Sequence, residues 1–149
     1  MPGSATMDPT RTINGSFGEV WHEGKWRMNF NHLEANIEVQ KSELRLSGTR
    51  KIATKVTGTK GSGTMSGLKV NSDLIAAIGQ IMDDKKGEYT TEIISKLADP
   101  EAYGYERIRL IGVSFDRVPL ANWTAGEVVT EEIPFTFVDY ELLDPIVEG

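Results

Sequence analysis

The sequence predicts a mainly β protein, an antiparallel β-sandwich or open barrel with one α-helix on its flank. Most segments alternate apolar and polar residues with period two, which is typical of strands with one wet face. Glycine, proline and Asp–Pro signals separate these segments, and only one stretch shows helical spacing. Because a half-apolar sheet must cover its apolar face, we expect it to pack on a second layer or curl on itself.

The size and composition suit one domain, with 149 residues of which 39% are hydrophobic. We predict a flexible polar arm over residues 1–12 and a single domain over 13–149. The N-terminal residues lack the apolar core of a secretory signal, and no apolar run is long enough to predict a membrane span. The absence of cysteine excludes disulfides and thiolate metal sites.

The first elements are a hairpin and a long strand. Residues 17–30 are rich in aromatic and β-branched side chains on both sides of Glu23-Gly24, which predicts a hairpin turn there. Residues 33–46 alternate strictly at first and then change parity near Lys41, which predicts a strand with a bulge or bend.

A basic segment and a glycine-rich segment follow. Residues 47–55 have no apolar face and are expected to form an exposed loop, and residues 56–70 read as a strand. The glycines of this strand could cradle a phosphate or could mark close packing; they are Gly58, Gly61, Gly63 and Gly67. Neither GxxxxGK[ST] nor GxGxxG is completed and no helix follows directly, so we interpret them as close-packed strand glycines.

One helix is predicted over about 72–86. Ser72 is a favourable N-cap, Asp73 suits the positive end of the helix dipole, and Gly87 suits the position after the end. The apolar stripe at helical spacing is interpreted as core contact rather than a ligand groove; it comprises Leu74, Ile75, Ile78, Ile81 and Met82.

The remaining segments predict further strands. They cover residues 88–99, 105–118, a short strand or edge at 120–123, and a long strand at 127–142. Pro134 cannot donate to a ladder, so we place it at a bulge or an edge position.

Charge is distributed unevenly within a net of −6. Six basic and no acidic residues lie between Arg45 and Val70, whereas seven acidic and no basic residues lie between Glu127 and Gly149. Such segments can be complementary between copies of the chain or can be neighbours within one subunit, and charge alone does not choose.

No catalytic constellation is predicted, so we expect a non-enzyme without cofactor or metal. His22 and His32 lack metal-ligand spacing, and the acidic pairs Asp83-Asp84 and Glu131-Glu132 suit solvated surface better than acid–base work. Trp21 and Trp26 permit an alternative, a monomeric β-sandwich carbohydrate-binding module, although cross-strand packing is the ordinary use of such a pair.

Two stretches resemble the tail tube proteins of contractile-tailed phages and phage-tail-like particles, in the type found in Gram-positive prophages. They are EANIEVQKSELRLSGTRKIATKVTGTKGSGTMSGLKVNSDL at 34–74 and EEIPFTFVDYELLDP at 131–145. The resemblance spans roughly residues 30–145 and extends to the tube proteins of contractile injection systems.

The resemblance implies a structural virion protein that forms hexameric rings, which stack into a hollow tube that passes DNA and is driven into the cell envelope when a sheath contracts. The implied partners are other copies of the chain, the tail sheath protein and a baseplate or tube initiator. The same resemblance extends to the tube proteins of bacteriocin-like particles. The implied location is the virion tail, assembled in the host bacterial cytoplasm.

The resemblance also suggests roles for particular residues. A basic extended loop at about 47–62 is expected to reach the next ring through Arg50, Lys51, Lys55 and Lys60. We hypothesise that its acidic partner segment comprises Glu131, Glu132, Asp139, Glu141 and Asp144. The polar parity of the first long strand suits a lumen lining that does not hold DNA; its members are Glu34, Asn36, Glu38 and Gln40. We further expect the 47–62 region to stay mobile until a neighbouring copy orders it.

Overall fold

The computed structural model describes residues 7–147, which form one eight-stranded antiparallel sheet. The strands are β1 (Gly18–His22), β2 (Lys25–Trp26), β3 (Phe30–Arg45), β4 (Ile52–Leu68), β5 (Thr90–Leu97), β6 (Glu106–Phe115), β7 (Thr130–Phe137) and β8 (Asp139–Asp144). The hydrogen-bonding order is β2-β1-β5-β6-β7-β4-β3, with β8 paired to β6. The predicted fold class is confirmed.

The sheet curls so that β1 approaches β3 although they lie near opposite ends of the strand order. A hydrogen bond of 2.8 Å from Arg27 N to Val20 O joins the turn before β3 to β1. The curled sheet encloses one apolar core, made of Val20, Phe30, Met65, Leu74, Ile78, Ile93, Leu110, Val113, Ile133, Phe135 and Phe137. An open barrel is therefore the better description of the two predicted architectures.

The helix is shorter than predicted. Helix α1 spans Asp73–Ile78 and a 3-10 turn continues over Gly79–Met82, so the regular structure ends before the expected 86. Ser72 precedes the helix as expected but makes no side-chain cap bond; Asn71 Oδ1 accepts from Asp73 N instead, at 3.2 Å. Only the first half of the predicted apolar stripe enters the core, because Ile81 and Met82 are 55% and 86% exposed.

The predicted C-terminal strand at 127–142 is divided at Val138. β7 pairs with β4 as far as Phe137, while β8 follows β6 alone. Gly112 of β6 lies directly against Val138 with a φ of +67°, a left-handed conformation that favours glycine. The sheet forks at this point. The short strand expected at 120–123 is wrong, because residues 116–129 contain no strand.

The end of the predicted N-terminal arm lies against the body of the subunit where the structure describes it. A 3-10 turn spans Pro9–Arg11. Arg11 Nη1 donates to Glu101 O at 3.0 Å, and Asn14 N donates to Asp99 Oδ2 at 2.8 Å. Residues 1–6 of the predicted N-terminal arm lie outside the described part of the chain. Within 7–147 no helix combines the length and apolarity needed to cross a bilayer.

The first hairpin is confirmed, with its turn at Glu23 and Gly24, both at positive φ. Trp21 and Trp26 are directly paired across the two strands, and their rings stack at 6.4 Å between centroids. Trp26 is still 47% exposed. The contact between the two rings stabilises a hairpin whose ladder joins only two residue pairs.

His22 lies on the inner side of β1 in an aromatic environment and is 2% exposed. Its Nε2 is 3.2 Å from Tyr89 Oη, which also donates to Glu23 Oε1, and its ring packs edge-on to Tyr89 and Phe115. Its Nδ1 has no partner among the described residues. Burial lowers the pKa of His22, partly opposed by the nearby Glu23 carboxylate and reinforced by Arg27.

We expect acid to destabilise the subunit through His22. Because the pKa of His22 is lower in the folded state, the unfolded chain binds the proton first as the pH falls through the ordinary value of 6.5. The free energy of unfolding should therefore decrease between pH 7 and pH 5, and His22→Gln should flatten that slope in urea unfolding. His32→Gln is the matched control because the His32 side chain is 54% exposed. Equal slopes for wild type and His22→Gln would contradict this expectation.

Candidate assembly surface

The longest strands extend beyond the body of the subunit as a two-stranded hairpin. The pairing of β4 with β7 ends at Gly61 and Phe137, so residues 38–60, which we name the arm, pair only with each other. The basic region expected as an extended loop at 47–62 is corrected accordingly. Its loop is limited to 46–51, and residues from Ile52 onward belong to β4. An isolated two-stranded ribbon is marginally stable in water, so the arm is suited to ordering by a neighbour.

A bulge lies in the arm at the predicted position along β3, but its extra residue is on the partner strand β4. The register shifts between Gln40 and Lys41, where their partners are Gly58 and Val56, so Thr57 is the extra residue on β4. On the side of the hairpin that faces the core, an apolar stripe continues past the last covered position; it comprises Ile37, Val39, Val56 and Ile52. These four side chains are 47–54% exposed. Apolar surface that continues out of a core and is left uncovered typically marks an interaction site.

The arm differs in charge from the body. Six basic and two acidic residues lie within 38–60, so the arm carries +4 and the rest of the chain carries −10 of the net −6. All four predicted contact residues are exposed, and within residues 7–147 none forms a salt bridge; they are Arg50, Lys51, Lys55 and Lys60. The arm can therefore bind an acidic surface of another copy.

Three of the four glycines of the run lie against neighbouring strands of the same subunit. A Cβ on Gly63 would lie 2.8 Å from Phe135 Cζ and 3.0 Å from Ala35 Cα, and one on Gly67 would lie 2.6 Å from Phe30 Cα. At Gly61 the Phe137 ring occupies the position. Gly58 meets only the flexible Gln40 amide, at 3.2 Å. The close approach is thus within the subunit, and the last three glycines of the run bring β3 and the core aromatics against β4.

The predicted lumen residues lie together on the face of β3 away from the core. Glu34, Asn36, Glu38 and Gln40 are all exposed, and opposite them on β4 lie Thr64, Ser62, Lys60 and Gly58. Asn36 Nδ2 donates to Glu34 Oε1 at 3.0 Å. This face is polar and lacks bulky apolar groups, which is compatible with a water-filled channel. Its orientation in an assembly stays a prediction.

The predicted acidic partner segment is mostly unavailable. Asp144 pairs with Arg107, and Glu141 pairs with Arg109 at 3.4 Å, so both are occupied on the outer face of β6. Glu131 is 5% exposed, and burial raises its pKa. Only Glu132 and Asp139 remain exposed without an ionic partner within residues 7–147. The sequence pattern missed this because the β6–β8 register is a long-range contact.

The edges of the sheet are a further feature of the surface. β3 pairs only with β4, so one edge of a 16-residue strand is without a ladder partner in the described subunit. The outer edge of β8 is likewise free beyond the fork at Val138. Long free edges bind further strands unless they are protected.

Within residues 7–147, no group of three or more His, Asp or Glu side chains is arranged to hold a metal ion. A surface cleft of about 570 Å³ is lined mainly by small hydroxyl and acidic side chains of β3, β4 and β7, including Glu34, Ser66 and Glu132. The surface instead combines an exposed arm, free strand edges and uncovered apolar groups.

Comparison with known proteins identifies the relatives of this chain. A family model described as phage tail tube protein matches residues 5–144. Two Bacillus subtilis (strain 168) proteins, the phage-like element PBSX protein XkdM and the uncharacterized protein YqbM, are each 32% identical over 134 residues. Each match covers 88% of this chain and 90% of the relative.

Solved structures with the same fold come from tail-like particles. A chain of the PVC extracellular contractile injection system sheath–tube complex aligns with a TM-score of 0.67 and 13% identity, over 88% of this chain and 90% of that one. The anti-feeding prophage tube terminating cap aligns with a TM-score of 0.73 and 12% identity, over 97% and 99%. A chain of the native gene transfer agent virion aligns at 0.60 and 11%, over 89% and 100%.

Proposed function

Because this chain belongs to the phage tail tube protein family, we propose that it is a structural component of a contractile, phage-like tail and polymerises into the hollow inner tube of that tail. Copies join side by side into hexameric rings, and the rings stack along an axis. The tube sits inside a contractile sheath, is started by a baseplate or initiator, and is driven into the cell envelope when the sheath contracts. In an infectious or gene-carrying particle DNA then passes through it without specific binding.

The arm is the observation that carries this proposal. The basic arm extends away from the acidic body of its own subunit. Its positive charges can therefore pair with the acidic body of another copy. Such a contact joins unlike surfaces, and a repeated contact between unlike surfaces builds an open filament. The attraction between the arm, with a formal charge of +4, and the body of a copy in the next ring, with −10, favours stacked rings over an isolated ring.

The free edge of β3 supports ring formation. Lateral pairing of this edge with a neighbouring copy would extend the sheet from subunit to subunit, and closure of the ring would remove the remaining edges. The polar face with Glu34 and Glu38 would then line the channel as a continuous surface, and its carboxylates would repel a passing nucleic acid.

The particle's tail is the proposed location, with assembly in the host bacterial cytoplasm. The carbohydrate-binding alternative receives less support, because Trp21 and Trp26 pack against each other as an ordinary cross-strand pair.

The test is polymerisation of the purified protein. We expect concentrated protein, or protein mixed with isolated tail baseplates, to give hollow tubes in negative-stain electron microscopy. Size-exclusion chromatography should show species far above the 16.5 kDa subunit. A protein that stays monomeric at high concentration and in the presence of baseplates would overturn the proposal.

A further inference from the structure

An exposed apolar patch lies at the end of β4 opposite to the arm tip. Three chain segments meet there: Leu68 N donates to Asn29 O at 2.8 Å, and Lys69 N donates to Val129 O at 2.9 Å. They carry four uncovered apolar side chains, Met28, Leu68, Val70 and Val128, which we name the end patch. Three of these are 70–75% exposed and Leu68 is 44% exposed.

The arm tip, residues 46–51, offers a matching surface. Leu46 is the first residue of the tip, and Leu44 and Ile52 flank it; all three are 43–51% exposed. Arg50 and Lys51 are the last two residues of the tip. The tip precedes the first residue of β4 and the end patch surrounds its last residue. The two surfaces are therefore separated by the length of a 17-residue strand, about 55 Å.

We propose that the end patch is the acceptor for the arm tip of a second copy in the adjacent ring, an inference that rests on the tube function proposed above. Because tip and patch lie at opposite ends of one strand, copies related by a shift along that strand bring them together, and the contact repeats without closing. The shift per ring cannot exceed the distance from patch to tip.

The charges of the two surfaces also favour the arm tip of a second copy as the occupant of the end patch. The tip belongs to the +4 arm and the patch belongs to the −10 body. Glu127 is exposed next to Val128, and within residues 7–147 it has no ionic partner. Two cations also border the patch, but each faces a carboxylate of its own subunit: Arg27 pairs with Asp73 at 3.4 Å, and Lys69 acts on the buried Glu131, where it opposes the rise in the pKa of that carboxyl. The patch thus presents a free carboxylate to Arg50 or Lys51 beside its apolar groups. This acceptor replaces the acidic segment at 131–144, which is largely occupied or buried.

The chain contains no cysteine, so disulfide cross-linking can test the contact directly. One preparation carries Ser47→Cys at the tip, and a second, with a different affinity tag, carries Val70→Cys in the patch. After the two are assembled together and oxidised, we expect cross-linked heterodimers at least ten-fold above those from Ser47→Cys with Leu120→Cys. Leu120 is 72% exposed, which matches Val70, but lies outside the patch.

A charge substitution gives a second readout. Val128→Lys should abolish tubes because it places a cation against the basic tip, while Leu120→Lys should leave them, and both should keep the wild-type melting temperature of the unpolymerised subunit. Tubes from wild-type protein together with equal cross-linking at positions 70 and 120, or normal tubes from Val128→Lys, would overturn the end patch and leave the tube function standing. Wild-type protein that forms no tubes would overturn the tube function itself.

Discussion

Gly67→Ala should destabilise the folded subunit by about 3 kcal/mol, the upper end of the usual cost of overpacking. The added methyl would lie 2.6 Å from Phe30 Cα and in contact with the carbonyl of Asn29, and both are backbone atoms that cannot rotate away. Relief requires moving the start of β3, where Phe30 belongs to the core. Urea unfolding of the unpolymerised subunit, followed by tryptophan fluorescence, measures the loss.

The same strand provides the control. Gly58→Ala introduces a methyl that meets only the end of the Gln40 side chain, so the free energy of unfolding should change by less than about 1 kcal/mol and can increase, since alanine restricts the unfolded chain. Gly63→Ala should resemble Gly67→Ala because Ala35 Cα and the Phe135 ring crowd that position. Similar stabilities for the variants at 58 and 67 would show that backbone packing does not require the glycine.

Tube growth should be lost in the double variant Lys51→Glu/Lys55→Glu. These substitutions change the arm from +4 to neutral while the body keeps −10, so the attraction between arm and neighbouring body is removed. A single exposed ion pair contributes only about 0–1 kcal/mol, but the contact recurs six times per ring in the proposed assembly, and its loss accumulates. Tube lengths in negative-stain images at low ionic strength are the measurement.

A matched variant separates the position of the charge from its amount. Lys85→Glu/Lys86→Glu changes the net charge by the same amount at two exposed residues after the 3-10 turn, away from the arm. We expect tubes of wild-type length from it, and folded subunits with unchanged circular dichroism from both variants. Normal tubes from the Lys51/Lys55 variant would refute the role of the arm, and tube loss in both would indicate that net charge alone controls assembly.

Patterns in the sequence predicted the elements whose conformation depends on residues close by in the chain. The period-two alternation of β3 identified the strand, whereas the change of parity near Lys41 coincides with a bulge whose extra residue, Thr57, is on β4. The incomplete phosphate motifs of β4 favour close packing as the role of its glycines, and Gly63 and Gly67 lie against backbone atoms of β3 and the turn before it. Ser72 marked the start of α1, although Asn71 makes the side-chain contact.

The errors arise where the cause lies in a distant segment. Nothing within 127–142 indicates that the strand divides at Val138, because Gly112 on β6 sets the fork. The acidic segment seemed free because its partners, Arg107 and Arg109, are found only through the β6–β8 register. The end patch was missed because its residues come from three segments that only the fold brings together.

The direction of β4 has a mechanical consequence for a stack joined through arm and patch. Tension between rings would run along the covalent backbone of β4, from the tip that precedes Ile52 to the patch around Leu68. The ladder between β4 and β7, from Gly61 to Leu68, would be loaded parallel to the strands, so its hydrogen bonds would share the force instead of breaking one after another. A hairpin oriented across the axis would unzip under a much smaller pull.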